Sequence, residues 1–275
     1  MRLGISTYSY WHFRGYKSPL KNYIKWAFED GFDGVEVLVN HVESKAKSYL
    51  KEIKRLAFNY GLDIYALALH NNFLKPDPLE REAQVKYVIN WLDVAHVLGA
   101  SIVRINSGRW GTVKSFDELM ARKGVEPPLE GYTEMDAIEW VVDSIYCCLD
   151  KAEDLGIILG LENHWGLTTK AETMLEIVKR VESKWLGVIM DTGNFVHDTY
   201  TELEMIAPYT VMVHAKTYFG EGEWYSLELD YNRIFNMLEK YSFRGWISLE
   251  YEGKEDYREG VRKSWELLRQ FVRIN

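Results

Sequence analysis

Four apolar, strand-like segments in the second half of the chain each end in a side chain that can bind a metal ion. These side chains are Glu162, Asp191, His214 and Glu250. Each closes a short apolar run, so each is expected where a buried strand emerges at its carboxyl end. Three carboxylates and one imidazole that converge there predict a site for one divalent cation. The alternative is an ion network without metal, in which the carboxylates repel one another unless a proton or nearby cations compensate.

Further polar residues are expected beside this quartet, because side chains two positions apart on a strand share a face. The residues two positions after three of the ligands are His164, Lys216 and Glu252. Earlier strand-like segments add Glu36, His70, Arg104 and Asn106. A guanidinium inside a strand is costly unless it is paired, so we expect Arg104 to contact a carboxylate of the quartet.

Other candidate residues are less specific. Glu36 fits a helix cap or salt-bridge partner as well as it fits a substrate contact. His96 lies within a helical pattern and is interpreted as a packed histidine. Three other histidines lie in loops or near helix starts and are expected at the surface: His12, His41 and His197. By contrast, His70 and His164 end strand-like segments, so we favour a functional role for both.

Short β-rich runs alternate with longer segments of helical period along the whole chain. The predicted strands are 3–8, 34–38, 64–70, 101–106, 157–162, 187–191, 210–214 and 246–250. The predicted helices are 19–29, 46–60, 79–98, 135–155, 169–181, 202–207, 231–241 and 257–272. Eight such units predict a single (β/α)8 TIM barrel over residues 1–275, with its site at the carboxyl ends of the strands. An open doubly wound sheet is disfavoured because no glycine-rich turn follows the first strand.

The connection 107–133, after the fourth strand, is the longest, and we interpret it as a lid or a subunit interface. The segment after the first strand is rich in aromatic residues, namely Tyr8, Tyr10, Trp11, Phe13 and Tyr16. Such rings suit the apolar face of a sugar or, equally, a neighbouring subunit.

The overall composition narrows the partners. The 275 residues carry a net charge of −8, which argues against nucleic acid because phosphate contacts need clustered Lys and Arg. Cys147 and Cys148 lack the spacing of a zinc knuckle or redox pair and are expected to be reduced, packed thiols. With no signal-like segment and no membrane-length apolar run, we expect a cytoplasmic protein without membrane contacts.

Four motifs resemble those of the xylose isomerase-like TIM barrels, and within them the sugar phosphate isomerases and epimerases. The motifs are Leu-Glu162-Asn163-His164-Trp165-Gly166, Met-Asp191-Thr192-Gly193-Asn194, Val-His214-Ala-Lys216 and Ser-Leu-Glu250-Tyr-Glu252-Gly253. The resemblance extends over nearly the whole chain. It implies that Glu162, Asp191, His214 and Glu250 bind one divalent metal, with Mn2+ first and Co2+, Mg2+ or Zn2+ as alternatives. It also implies that Glu162 and Glu250 exchange protons with the substrate, and that the protein is a dimer or tetramer.

Within this resemblance, the reaction would be isomerisation or epimerisation of a ketose, aldose or keto-polyol through an enediolate. A chelated cation would polarise the carbonyl while one carboxylate removes a proton and the other returns it. The residues expected to hold the substrate are His70, Arg104, His164, Asn194 and Lys216. Acidic loops after the seventh and eighth strands favour an unphosphorylated substrate, although barrels often bind phosphate there.

Two alternative functions remain open, and a third is set aside. A lyase or dehydratase on a cyclic keto-polyol would use the same enediolate, and a non-catalytic sugar-binding barrel would keep the site without turnover. Endonuclease IV shares the resemblance, but its Asp-x-His pair is missing from 218–225, and Asn194 stands where a histidine would be needed. DNA cleavage is therefore not expected.

Overall fold

In the computed structural model, which describes residues 1–11 and 17–272, eight parallel strands close into a barrel in sequential order. The strands are β1 (Arg2–Ser6), β2 (Gly34–Leu38), β3 (Asp63–Ala68), β4 (Ile102–Ile105), β5 (Ile158–Glu162), β6 (Leu186–Asp191), β7 (Thr210–Thr217) and β8 (Trp246–Tyr251). The predicted single TIM barrel is confirmed. Each predicted strand is present, and β7 continues three residues beyond its predicted end.

Helices cover the outside of the barrel. They are α1 (Leu20–Glu29), α2 (Lys47–Asn59), α3 (Pro78–Leu98), α4 (Phe116–Ala121), α5 (Glu134–Leu155), α6 (Ala171–Val181), α7 (Thr199–Ile206), α8 (Tyr231–Lys240) and α9 (Tyr257–Arg269). All but α4 follow the strand-helix alternation. The short helix α4 lies within the connection 107–133 and was not predicted.

Local signals in the sequence set the helix ends. Asp77 caps α3 by accepting from Leu79 N, with Pro78 at the first helical position, and Thr133 forms a capping box with Asp136 at the start of α5. Gly99 and Gly156, which end these two helices, have φ values of 89° and 67°. A left-handed conformation at these positions favours glycine, as the sequence indicated.

A small apolar cluster fills the interior of the barrel below the predicted site. Ile102, Ile189, Met212 and Trp246 each lie two residues before a polar residue of the mouth, and they pack together with Tyr65 and Ala66. A larger core lies between the strands and the surrounding helices. The interior is therefore apolar at its base and polar at the carboxyl ends of the strands.

Tyr65 reaches the barrel interior because β3 is irregular at this point. The register between β2 and β3 shifts by one residue between Val35 and Glu36, which is a β-bulge. The Tyr65 ring then stacks on Trp246 at 4.1 Å and occupies the space where a Cβ atom on Gly4 would lie, 2.3 Å from its Cε1 atom. Its hydroxyl donates to Ser248 Oγ at 2.7 Å.

Candidate metal centre and cavity

The four predicted ligands converge at the carboxyl end of the barrel. Glu162, Asp191, His214 and Glu250 lie on the neighbouring strands β5 to β8, and one ligand atom of each lies within 4.8 Å of the others. All four are buried, with at most 5% of each residue exposed. The alternation of apolar and polar positions on adjacent parallel strands brings these residues together.

The two ring nitrogens of His214 face different carboxylates. Its Nδ1 atom lies 2.7 Å from Glu162 Oε1, 3.6 Å from Glu250 Oε1 and 4.0 Å from Asp191 Oδ2. Its Nε2 atom lies 3.0 Å from the Glu36 carboxylate. In the tautomer suited to metal binding, Nε2–H donates to Glu36 and the Nδ1 lone pair faces the three carboxylates.

Glu36 is thus a salt-bridge partner, one of the roles considered from the sequence. Its carboxylate is fully buried and also accepts a hydrogen bond from Ser248 Oγ at 3.0 Å. Since Tyr65 donates to Ser248, a buried chain of hydrogen bonds runs from Tyr65 through Ser248 and Glu36 to His214. Glu36 does not line the cavity described below.

The charges and an unsatisfied atom both fit a cation among these ligands. Five buried carboxylates surround the centre, whereas Arg104 and Lys216 supply two positive charges, leaving three negative charges when His214 is neutral. Asp191 Oδ2 is buried without a hydrogen-bond partner among the described residues, although Lys216 Nζ lies 3.4 Å away. Burial raises the pKa of Asp191, so its ionised form is costly unless a cation compensates. A divalent ion would remove most of this excess charge.

The two proposed catalytic glutamates lie in different surroundings. Glu162 Oε2 accepts from Arg104 Nη1 at 3.1 Å, whereas Glu250 Oε2 lies 3.2 Å from Lys216 Nζ. Burial would raise the pKa of Glu162, but the Arg104 guanidinium and the hydrogen bond with His214 hold it far below its usual range. Burial also opposes ionisation of Glu250, and His214 and Lys216 nevertheless lower its pKa. Both are therefore carboxylates at neutral pH.

A cavity of about 610 Å³ opens above the four candidate ligands. Its lining residues are Tyr8, Leu38, Asn40, His70, Arg104, Phe116, Met120, His164, Trp165, Asn194, Lys216, Trp224, Tyr225, Glu250 and Glu252. Glu250 is the member of the quartet that reaches this wall, while the other three ligands lie beneath it.

All five residues predicted to hold the substrate line this cavity: His70, Arg104, His164, Asn194 and Lys216. Arg104 pairs with Glu162, as expected, and its Nη2 atom donates to Leu69 O at 2.7 Å. Lys216 Nζ donates to Glu252 Oε1 at 2.5 Å. Asn194 Nδ2 donates to Asn163 O at 2.9 Å.

The two cavity histidines are neutral at pH 7. Burial, together with the positive charge of Arg104, lowers the pKa of His70 to about 3. Burial lowers the pKa of His164 to about 4, although Glu162 opposes the shift. A neutral imidazole can both donate and accept, so both residues suit hydroxyl groups better than anions.

Several smaller predictions need correction. His41 is not a surface residue: it is 2% exposed, and its Nδ1 atom lies 2.9 Å from Thr7 Oγ1. His96 is exposed rather than packed, His197 is exposed as expected, and Cys147 is exposed although Cys148 is buried. The predictions for His12, Phe13 and Tyr16 fall outside the described residues.

Sequence reasoning missed part of the cavity wall. Phe116 and Met120 lie on α4, and Trp224 and Tyr225 lie in the connection between β7 and α8. The Tyr225 hydroxyl shares its one proton between two acceptors, Gly193 O at 3.1 Å and Asn194 Oδ1 at 3.3 Å. The signal was available, since an aromatic pair inside an otherwise acidic, glycine-rich loop is unusual for a simple turn.

Fold and site together define a closed (β/α)8 barrel with an acidic, metal-capable centre at its mouth. A family model described as "Xylose isomerase-like TIM barrel" matches residues 24–271, so the chain belongs to this family. The resemblance read from the motifs is confirmed at that level.

Individual proteins are similar across nearly the full chain but distant in sequence. An uncharacterized protein of Methanocaldococcus jannaschii is 24% identical over 267 residues, covering 90% of this chain and 82% of the relative. A D-psicose 3-epimerase from Clostridium cellulolyticum H10, solved with D-tagatose, is 16% identical with a TM-score of 0.79, and the match covers 100% of both chains.

Two further solved structures have different activities or ligands. The IOLI protein, solved with a zinc atom, is 16% identical with a TM-score of 0.75 and full coverage of both chains. A probable 3-DHS dehydratase from Bacillus anthracis is 14% identical with a TM-score of 0.70, covering 98% of this chain and 99% of its own. At these identities, the similarity shows a shared fold.

None of the helices in the described ranges is long and apolar enough to cross a membrane.

Proposed function

We propose that the protein is a divalent-metal-dependent sugar isomerase or epimerase that moves a proton on a keto-sugar or keto-polyol. The observation that carries this proposal is the buried centre at the mouth, where four ligand atoms lie within 4.8 Å of one another beneath a cavity. The D-psicose 3-epimerase among the structural neighbours supports the same reaction class.

Glu162, Asp191, His214 and Glu250 would hold the ion, with manganese as the first choice and zinc supported by one neighbour. When bound, the ion would supply Lewis acidity next to the substrate carbonyl. Glu36 would keep the His214 Nδ1 lone pair directed at the centre through its contact with Nε2.

Proton transfer is assigned to Glu162 and Glu250. Glu250 lines the cavity, so it can receive a proton from a substrate carbon without rearrangement of the wall. Glu162 lies below the wall and shares one carboxylate oxygen with Arg104, so a proton reaches it only if that contact loosens when substrate is present. This difference in access predicts unequal roles for the two glutamates.

The remaining polar residues would bind the substrate oxygens. Lys216 and Arg104 would stabilise negative charge that develops at the carbonyl oxygen. Neutral His70 and His164 would hold hydroxyl groups, and Asn194 would orient the polyol chain. Phe116 and Met120 support a lid role for 107–133 rather than an interface, because both residues face the cavity.

The decisive experiment measures deuterium uptake at carbon when free ketoses and inososes are incubated with manganese-loaded protein in deuterated water. Uptake at the carbon next to the carbonyl, with formation of an epimer or isomer, is the expected result. Absence of uptake for all substrates, with tight sugar binding, would instead support a non-catalytic sugar-binding barrel.

A dehydratase or lyase on a cyclic keto-polyol is the second candidate, favoured by the dehydratase among the structural neighbours. It needs the same proton removal but then expels a β-hydroxyl group, which requires a proton donor. Loss of water from an inosose, detected by mass, would distinguish it from epimerisation. A cytoplasmic location and a dimeric or tetrameric state remain predictions in both cases.

A further inference from the structure

The cavity contains two chemically different compartments. Its floor is polar and is formed by residues at the strand ends, such as His70, Lys216 and Glu250. One side of its outer part is formed by Phe116, Trp165 and Trp224, which lie in the connections after β4, β5 and β7. We propose that this aromatic compartment binds a second ring, so that the substrate is a keto-glycoside rather than a free monosaccharide; this inference rests on the proposed function.

The cavity is larger than one sugar ring requires. A generous allowance gives each non-hydrogen atom of the sugar the volume of one water molecule in the liquid, about 30 Å³. A hexose with twelve such atoms would then fill roughly 360 Å³. The cavity measures about 610 Å³. With one sugar ring above the metal ligands, the remaining space would suffice for most of a second ring.

The aromatic side chains form one group. Phe116 lies between the other two rings, with centroids 5.7 Å from Trp165 and 4.8 Å from Trp224, both in edge-to-face orientation. Val113, Leu119 and Met120 form an apolar cluster against which the two tryptophans pack. The two indole rings are thus held in place while still contributing to the cavity wall.

Gly124 provides the space that Trp165 needs. A Cβ atom on Gly124 would lie 2.3 Å from Trp165 Cδ1, and the residue has a φ of 80°, so both space and backbone favour glycine. The loop 107–133 therefore holds Trp165 through Gly124 and supplies Phe116. Its internal brace is the Arg109–Glu126 pair, with Arg109 Nη2 donating to Glu126 Oε1 at 2.8 Å.

The charges nearby favour a neutral second group. Both cations of the cavity lining, Arg104 and Lys216, are already paired with buried carboxylates, so neither is left to neutralise a phosphate. Aromatic faces bind the apolar C–H face of a pyranose by burying it from water. A neutral glycosyl ring satisfies both conditions.

This occupant also constrains the reacting ring. A sugar whose anomeric oxygen carries another ring cannot open to expose an aldehyde or ketone at that carbon. Its carbonyl must therefore be a ring ketone with neighbouring hydroxyl groups, and the proton on the carbon beside it is the one removed. No oxidant is needed in this step, since proton removal and return leave the oxidation state of the substrate unchanged.

The test compares two ligands of manganese-loaded protein: a methyl 3-ketohexopyranoside, and the same keto ring carrying a glucosyl group in place of the methyl. Dissociation constants are measured by calorimetry for the wild type and for Phe116→Ala, with Phe58→Ala as control because Phe58 is 79% exposed on α2. We expect the glucosyl ligand to bind at least tenfold more tightly to the wild type and to Phe58→Ala. In Phe116→Ala this preference should fall below threefold.

Trp224→Leu provides a second variant in case Phe116→Ala alters the fold of α4, and it should reduce the preference in the same way. Equal affinity of the wild type for both ligands, or an undiminished preference in both cavity variants, would overturn the inference. Deuterium uptake is recorded with the same ligands. A retained preference without any uptake would contradict the proposed function alone, whereas uptake without a preference would contradict this inference alone.

Discussion

Strands β5 to β8 each carry one of the four proposed metal ligands, whereas β2 and β4 carry groups that hold those ligands in place. Glu36 on β2 contacts the Nε2 atom of His214, and Arg104 on β4 contacts Glu162. The barrel is nearly uniform in architecture, yet its two halves differ in chemistry. Substitution of a proposed ligand in the second half should therefore abolish the reaction, whereas substitution of Glu36 or His41 in the first half should alter metal binding or stability.

The largest effect is expected for Glu162→Gln in the second half. The amide can still offer an oxygen ligand but cannot exchange protons, so turnover should fall roughly 1,000-fold while metal binding is partly retained. Deuterium uptake and metal stoichiometry are measured together, with exposed Glu172→Gln on α6 as control. Residual turnover above one tenth of the wild-type rate would contradict a proton-transfer role for Glu162.

Glu36→Gln tests the first half. Loss of the charged acceptor at Nε2 should weaken manganese binding about 10- to 100-fold, because carboxylate partners orient a histidine ligand and increase its basicity. Metal affinity is measured by competition with a chelator, so the result does not depend on turnover. The control is Glu239→Gln, an exposed position on α8. Unchanged affinity would mean that Glu36 has no influence on the metal ligand.

His41 in the first half gives a pH dependence of stability. Burial, helped by Lys17, lowers its pKa from 6.5 to about 3. Below pH 6.5 the unfolded chain binds a proton that the folded protein does not, so this contribution to stability falls as the pH falls. Between pH 6 and pH 4, urea unfolding should show the wild type losing about 2 kcal/mol more than His41→Asn. Parallel losses in the two proteins would contradict this assignment.

The smallest effect concerns the acidic loops of the second half. Glu252 follows β8 and lines the cavity, so a phosphate dianion should be disfavoured there. We expect a free keto-sugar to have a kcat/KM about tenfold higher than its phosphate ester, with a smaller difference at high salt. A phosphate ester that reacts faster than the free sugar would reverse the assignment of substrate class.

The sequence predicted the features that arise from local patterns. The bounds of β2 matched at both ends, and the four ligands could be recognised because each closes its own apolar run. The function of Glu36 could not be read in this way. Its partners His214 and Ser248 are 178 and 212 residues away, so only closure of the barrel brings them together.

Two other differences have similar causes. Helix α4 is six residues long, too short for a clear helical period, and is stabilised by its Ser115 cap and by burial of Leu119. His41 was expected at the surface because it lies in a predicted loop near a helix start. It is buried instead, with its ring centroid 4.4 Å from that of Tyr23 on α1, a tertiary contact without a local signal.

Gly4 lies on β1 beside Ser248 and Gly34 and does not line the cavity, yet it bears on the environment of the candidate metal centre. The Tyr65 ring fills the volume above this glycine, so even one methyl group there would displace the ring. The displacement would pass to Ser248, then to Glu36, and finally to the imidazole at the centre. A substitution of this glycine, which does not line the cavity, would thus change metal affinity without altering any residue of the cavity wall.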